Sequence, residues 1–257
     1  MTTRELWRRE MTGAERHGTS LTVWDQLLSV VNRQRETLNR SALDIVDVGG
    51  GSGTLAVPLA ADGHAVTVVD PSPNALATLR QRAREAGVTE QITPIQGDAA
   101  GLRSAVPRAS VDVVVCHGVL EVVDEPQTAL TGMVDCLRPG AIVSIVAAQR
   151  SAAVIGKALA GHLEAACRLL EDPEGRWGST DPLPRRFTEA GLRKLVDEAG
   201  LTVDAVHGVR MFSELVPGAF VDDPVDMRAL ATLEERAAEL PEMRSLAAAL
   251  HIVASLT

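Results

Sequence analysis

The sequence predicts an α/β fold: a seven-stranded, mainly parallel sheet with helices on both faces, an antiparallel last strand and a helical lid. Three observations predict it. Short apolar runs alternate with helical stretches five times between residues 43 and 147. The runs are rich in Val and Ile, as expected for strands covered on both faces. A glycine-rich turn, Asp47-Val-Gly-Gly-Gly-Ser-Gly53, stands directly after the first run.

The elements follow in order. Leu21, Trp24, Leu27, Leu28, Val31 and Leu38 recur at helical spacing over residues 19–39, behind a Thr19-Ser20 cap. Leu43–Val48 is the first strand. Residues 54–62 form a helix closed by Gly63, and Ala65–Asp70 is the second strand. Pro71-Ser-Pro-Asn opens a helix that runs through Arg84 and stops at Gly87. Gln91–Gln96 is a third strand, placed at an edge or a bend because Pro94 lacks a ladder donor. Val111–Cys116 is the fourth strand, and a helix follows over Gln127–Leu137. Arg138-Pro-Gly140 is then a turn before the fifth strand, Ala141–Ala147.

Beyond residue 150 the repeat ends. Residues 151–171 are Ala-rich and read as a helix pair or one long helix, and 172–187 as an irregular loop. Thr188 starts a helix that ends at Gly200. Leu201–Val209 and Ala249–Ser255 are the closing strands, antiparallel to each other, with a polar helix over Asp226–Glu239 between them. Residues 151–187 are assigned as the substrate lid, because the repeating α/β pattern does not need them. Residues 1–39 are read as an N-terminal helical or lid segment, and 1–257 as a single domain.

Composition restricts the function. Aromatic residues make up 2% of the chain and Tyr is absent, so no stacking platform for a run of bases is expected. The net charge of −9 repels a phosphate backbone and disfavours tRNA as a partner. Cys116, Cys136 and Cys167 lack the spacing of a metal knuckle and are expected to be reduced, mostly buried thiols. No metal site and no membrane partner is expected. The N-terminus lacks the apolar run of a signal peptide, so a cytoplasmic location is expected. The oligomeric state is not written in the sequence.

A glycine-rich turn between strand and helix lets a ligand approach the backbone closely. Alone it is ambiguous, because Gly51-Ser-Gly53-Thr-Leu-Ala56 also fits a dinucleotide pattern and an NAD(P) oxidoreductase competes. Three carboxylates favour S-adenosylmethionine (SAM). Asp47 sits beside the turn, where it suits a positively charged sulfonium and amino group better than a pyrophosphate. Asp70 ends the second strand, where it can accept ribose hydroxyls. Asp98, in Gly97-Asp98-Ala99, follows the third strand and can meet the adenine amino group. All three fall at the C-terminal edge of the sheet, where open α/β folds bind ligands.

In this order the residues resemble the class I SAM-dependent methyltransferases, whose sheet is Rossmann-like. The resemblance implies that Gly49, Gly50, Gly51 and Gly53 line the methionine part. It also implies that Asp70 with Pro71 holds the ribose, that Asp98 with Ala99 meets the adenine, and that His117 lies against the cofactor. A narrower likeness runs through Cys116-His-Gly-Val-Leu-Glu-Val-Val-Asp-Glu-Pro126, Leu137-Arg-Pro-Gly140, Leu183-Pro-Arg-Arg186 and Gly208-Val-Arg-Met-Phe212. These segments are similar to the bacterial tRNA carboxymethoxyuridine methyltransferases. That similarity implies a wobble-uridine carboxylate as the acceptor, anchored by Arg210, Arg185 or Arg186, since a guanidinium suits a two-oxygen anion. An ionised carboxylate needs no base, and the sequence names no catalytic residue. The alternatives are a small-molecule O- or N-methyltransferase with a remodelled lid, and a non-catalytic module that binds SAM or its product.

Overall fold

The computed structural model describes residues 21–217 and 223–256. The Thr19-Ser20 cap and the N-terminal lid segment over 1–18 lie outside them. As expected, seven strands form one sheet in the order β3-β2-β1-β4-β5-β7-β6. They are β1 (Asp44–Val48), β2 (Ala65–Asp70), β3 (Ile92–Gln96), β4 (Val111–His117), β5 (Leu137–Ala148), β6 (Thr202–Val209) and β7 (Ala249–Ser255). The first five pair in parallel, and β7 runs antiparallel to both β5 and β6.

The helices are α1 (Leu21–Leu38), α2 (Ala56–Ala61), α3 (Pro73–Ala86), α4 (Leu102–Ala105), α5 (Pro126–Cys136), α6 (Arg150–Leu159), α7 (Leu163–Glu171), α8 (Glu189–Glu198), α9 (Pro224–Ala238) and α10 (Pro241–Arg244). The two-residue period of the strands divides their side chains between two cores. Ile45, Val66, Val68, Val113 and Val115 pack under α1, α2 and α3 around Trp24, Leu27 and Leu79. Val46, Val48, Val114, Cys116, Val143 and Ile145 pack on the other face, against Leu130 and Met133 of α5 and Leu192 and Val196 of α8.

Local chemistry sets the helix ends. Ser72 caps α3 by accepting from the Ala75 amide at 3.2 Å, Pro73 follows at the first helical position, and Gly87 ends the helix at φ 71°. Thr188 caps α8 through the Gly191 amide at 3.0 Å. Each such cap contributes about 1 kcal/mol. Gly161, at φ 77°, separates α6 from α7, so the Ala-rich stretch is a helix pair.

Two local expectations are corrected. Helix α2 begins at Ala56 instead of Thr54, because residues 51–55 remain in turns. Leu137-Arg-Pro-Gly140 is not a turn ahead of β5 but part of it. Leu137 pairs with Val111, the register then slips, and Ile142 pairs with Val113. The four residues form an irregular start to the strand, with Gly140 at φ 76°. Proline in β3 behaves as expected: β3 pairs with β2 alone and is an edge. Among the described residues, no helix is long and apolar enough to cross a membrane. Cys116 and Cys136 are buried and Cys167 is exposed, so two of the three thiols meet the expectation.

Candidate functional site

Strand order reverses between β1 and β4, and the glycine turn leaves β1 at that point. Ligands of open α/β sheets bind in this crevice. The turn is held from below by the Gly49 amide, which donates to the Val69 carbonyl at 2.7 Å. Gly49 has φ 71°, and a Cβ there would overlap Val119 in the loop after β4. At Gly50 a Cβ would overlap the Asp47 carboxylate beneath it. The turn thus presses directly onto an acidic group.

Asp47 is 2% exposed, and its Oδ2 has no hydrogen-bond partner among the described residues. Burial, reinforced by the nearby Asp70 charge, pushes its pKa up to about 7. A buried acceptor without a donor is costly and calls for an explanation in a ligand or water. Asp70 is held in place from both sides: its Oδ2 accepts from the Gly51 amide at 3.0 Å and its Oδ1 from the Ser72 amide at 2.8 Å. Each oxygen keeps acceptor capacity for a further donor such as a ribose hydroxyl. Pro71 is exposed beside it. Asp98 is exposed and closes a turn by accepting from the Gly101 amide at 2.7 Å, while Ala99 is buried in the core behind it.

His117 ends β4 at the same edge. Its Nε2 is 2.8 Å from the Ser144 hydroxyl, and burial lowers its pKa to about 3, so the ring is neutral. Glu121, in the following turn, is 7% exposed. Its Oε1 accepts from the Ala148 amide at 3.3 Å, whereas Oε2 is buried without a hydrogen-bond partner among the described residues. Burial raises its pKa, opposed by its backbone hydrogen bonds and by the Arg210 charge. Glu121 and Arg210 therefore face a common region.

The three arginines expected to anchor an acceptor differ. Arg185 bonds Glu174 and donates to the Val123 carbonyl at 2.8 Å, tying the lid loop to the turn after β4. Arg186 is 6% exposed and forks onto Asp181 at 2.7 and 2.9 Å. Asp181 also accepts from the Trp177 and Leu183 amides. Its burial opposes ionisation, but the Arg186 bonds and these amides hold its pKa below the usual carboxylate range. Two cations lie over the Trp177 ring, with Lys157 Nζ 3.7 Å and Arg186 Cζ 4.5 Å from the ring centroid. Arg210 sits after β6 at φ 55°, with its side chain 3.5 Å from Glu214. The segment behind it is fixed by Glu234 of α9, which accepts from three successive amides, Met211, Phe212 and Ser213.

Sequence reasoning passed over Glu234, Ser144, His251 and Gln26. Only the polar residues inside apolar strands, Ser144 and His251, left a trace in the sequence.

Residues 46–145 match the family described as Methyltransferase domain. Over 172 residues the chain is 29% identical to a tRNA 5-carboxymethoxyuridine methyltransferase of Escherichia coli O157:H7, covering 67% of this chain and 64% of the relative. It is 32% identical over 177 residues to a ubiquinone biosynthesis O-methyltransferase of Methylobacterium nodulans, covering 68% and 66%. The chain thus spans about two thirds or less of these relatives' length. A magnesium protoporphyrin IX methyltransferase from Synechocystis PCC 6803, solved with bound SAH, shares the fold. Its TM-score is 0.59 at 18% identity, over 98% of this chain and 94% of that one. Residues 46–145 thus carry a methyltransferase domain, on a fold shared with SAM-dependent methyltransferases. Its cofactor is S-adenosylmethionine, and the residues fit it: a bare buried carboxylate oxygen beside a glycine turn suits a cationic ligand that approaches the backbone.

Proposed function

We propose that this chain transfers a methyl group from SAM to an oxygen nucleophile. The observation that carries the reading is the buried Asp47 under the glycine turn, with one oxygen lacking a hydrogen-bond donor. SAM supplies a methyl group on a positively charged sulfur, which a nucleophile takes in line. Around it Asp47 offers negative charge to the cationic end, and Gly49, Gly50, Gly51 and Gly53 give backbone access. Asp70 accepts the ribose hydroxyls, Asp98 and Ala99 meet the adenine, and His117 borders the site. Residues 151–187 cover the acceptor and exclude water, within a single domain, 1–257, that works in the cytoplasm.

For the acceptor, the leading reading is the carboxylate of a modified tRNA wobble uridine, supported by the likeness to the tRNA relative. Arg210 would anchor it. A second reading, an uncharged hydroxyl of a small molecule, is favoured by the lid: Arg185 and Arg186 are already engaged by Glu174 and Asp181. The net charge of −9 points the same way. Mass spectrometry of bulk tRNA from a deletion strain separates the two. Loss of a wobble methyl ester supports the first reading, and an unchanged ester sinks it. Arg210→Ala should bind SAM normally and lose turnover; full activity would remove it from the acceptor site.

A further inference from the structure

Beneath α1, four polar side chains from α1 and three strands form one hydrogen-bonded chain in an otherwise apolar layer. Gln26 Oε1 lies 3.0 Å from His251 Nδ1. His251 Nε2 lies 2.9 Å from Ser144 Oγ, and Ser144 Oγ lies 2.8 Å from His117 Nε2. Ser144 and His251 are fully buried, so water does not substitute for these partners. His207 of β6 stacks on His251 with ring centroids 5.3 Å apart.

Such a chain has only two self-consistent proton orders, because a neutral imidazole carries one N–H and a hydroxyl has one proton to give. The end of the chain selects between them. The Gln26 amide turns its Oε1, an acceptor, toward His251, and in that orientation His251 carries its proton on Nδ1. Its Nε2 is then an acceptor, and the Ser144 hydroxyl donates to it. Ser144 Oγ therefore accepts, and His117 must donate from Nε2. What remains on His117 is a bare Nδ1. Among the described residues nothing hydrogen-bonds that nitrogen, and the His117 side chain is only partly buried.

We propose that Gln26, His251 and Ser144 are positioning residues that hold His117 as its Nε2–H tautomer and present Nδ1 at the C-terminal edge of the sheet as a hydrogen-bond acceptor. The neutral state of both rings follows from burial, which lowers their pKa values; for His251 the neighbouring His117 and His207 add to it. With a pKa of about 3, His117 is too weak a base to remove a proton at neutral pH. It orients a partner instead. Its lone pair favours an O–H or N–H donor and opposes an anionic oxygen at that point. The donor is either the ammonium of the cofactor or a protonated group on the acceptor. The tautomer itself does not depend on the acceptor chosen under the proposed function.

Long-range nitrogen–proton correlation NMR on the ¹⁵N-histidine-labelled full chain reads each tautomer directly. The expected spectrum has His117 non-protonated at Nδ1 and His251 non-protonated at Nε2. The reverse pattern, with His117 protonated at Nδ1, overturns the proposal. Gln26→Met should blur the His117 pattern into a tautomer mixture while the folded spectrum persists, and Gln26→Glu, which keeps an accepting oxygen, should restore it. A His117 pattern unmoved by Gln26→Met and Ser144→Ala also overturns the relay. Adding SAH tests the cofactor as donor: an upfield shift of Nδ1 assigns the cofactor ammonium, and an unshifted Nδ1 removes it.

Discussion

The two edges of the same sheet treat buried carboxylates in opposite ways. At the N-terminal edge Asp112 is buried and fully met: Arg40 Nη1 lies at 2.6 Å, Arg138 Nη1 at 2.7 Å, and the Asp44 amide donates at 2.9 Å. This cluster ties the end of α1 to β1, β4 and β5. At the C-terminal edge Asp47 and Glu121 are also buried, yet among the described residues each keeps an oxygen with no hydrogen-bond partner. Compensated charge there would add stability; uncompensated charge leaves interaction capacity for a ligand. The difference teaches which edge holds the molecule together and which edge works.

The sharpest way to break the comparison is at Asp112. Asp112→Ala should lower the unfolding free energy by about 3 kcal/mol, since a buried partner of two arginines is lost. The arginines are 43% and 32% exposed, so part of their charge returns to water and moderates the loss. Urea denaturation measures it, and calorimetry should find SAH affinity unchanged; a parallel loss of affinity would erase the distinction between the edges. At the other edge, Asp70→Ala should weaken SAH binding about 100-fold, equivalent to roughly 2.7 kcal/mol. Unchanged binding refutes the ribose assignment.

Asp47 gives a pH test. Its pKa is raised to about 7, so below that pH the unliganded protein carries the neutral acid. The ammonium group that SAH shares with SAM favours the carboxylate, so binding releases the proton. Affinity for SAH should therefore rise about tenfold from pH 6 to pH 8, and Asp47→Asn should flatten the profile. Stability runs the opposite way: a raised carboxyl pKa favours the fold below its unfolded value near 3.8, and that benefit fades as pH rises to about 7. Asp47→Asn should consequently raise the melting temperature of the unliganded protein at pH 8; a lower one contradicts the burial argument. The smallest effect is expected in the lid. Trp177→Ala removes the ring shared by Lys157 and Arg186, at about 1 kcal/mol per contact. Limited proteolysis within residues 172–187 should quicken severalfold, with global stability nearly unchanged.

Much of this is legible in the sequence. Val- and Ile-rich runs marked the central strands, because a parallel strand covered on both faces must be apolar throughout; the edge strands β3 and β6 were marked by shorter or alternating apolar patterns. Caps and glycines at Ser72, Gly87, Thr188 and Gly200 marked helix ends. The start of β5 was misread because Arg138-Pro-Gly140 has turn chemistry, whereas pairing of Leu137 with Val111 is a cross-strand fact. The lid arginines were read as free anchors since nothing in the sequence places Asp181 or Glu174 against them.

The sequence by itself determined the sheet, its glycine turn and the order in which Asp47, Asp70 and Asp98 arrive at one edge. Periodicity and turn chemistry are local, so they survive in a one-dimensional string. Only the tertiary structure decided which charged groups are already paired. It alone brought His117, Ser144, His251 and Gln26 into one chain, since Gln26 and His251 stand 225 positions apart. Pairing and proton order depend on distances of about 3 Å between remote residues, and no spacing along the sequence encodes them.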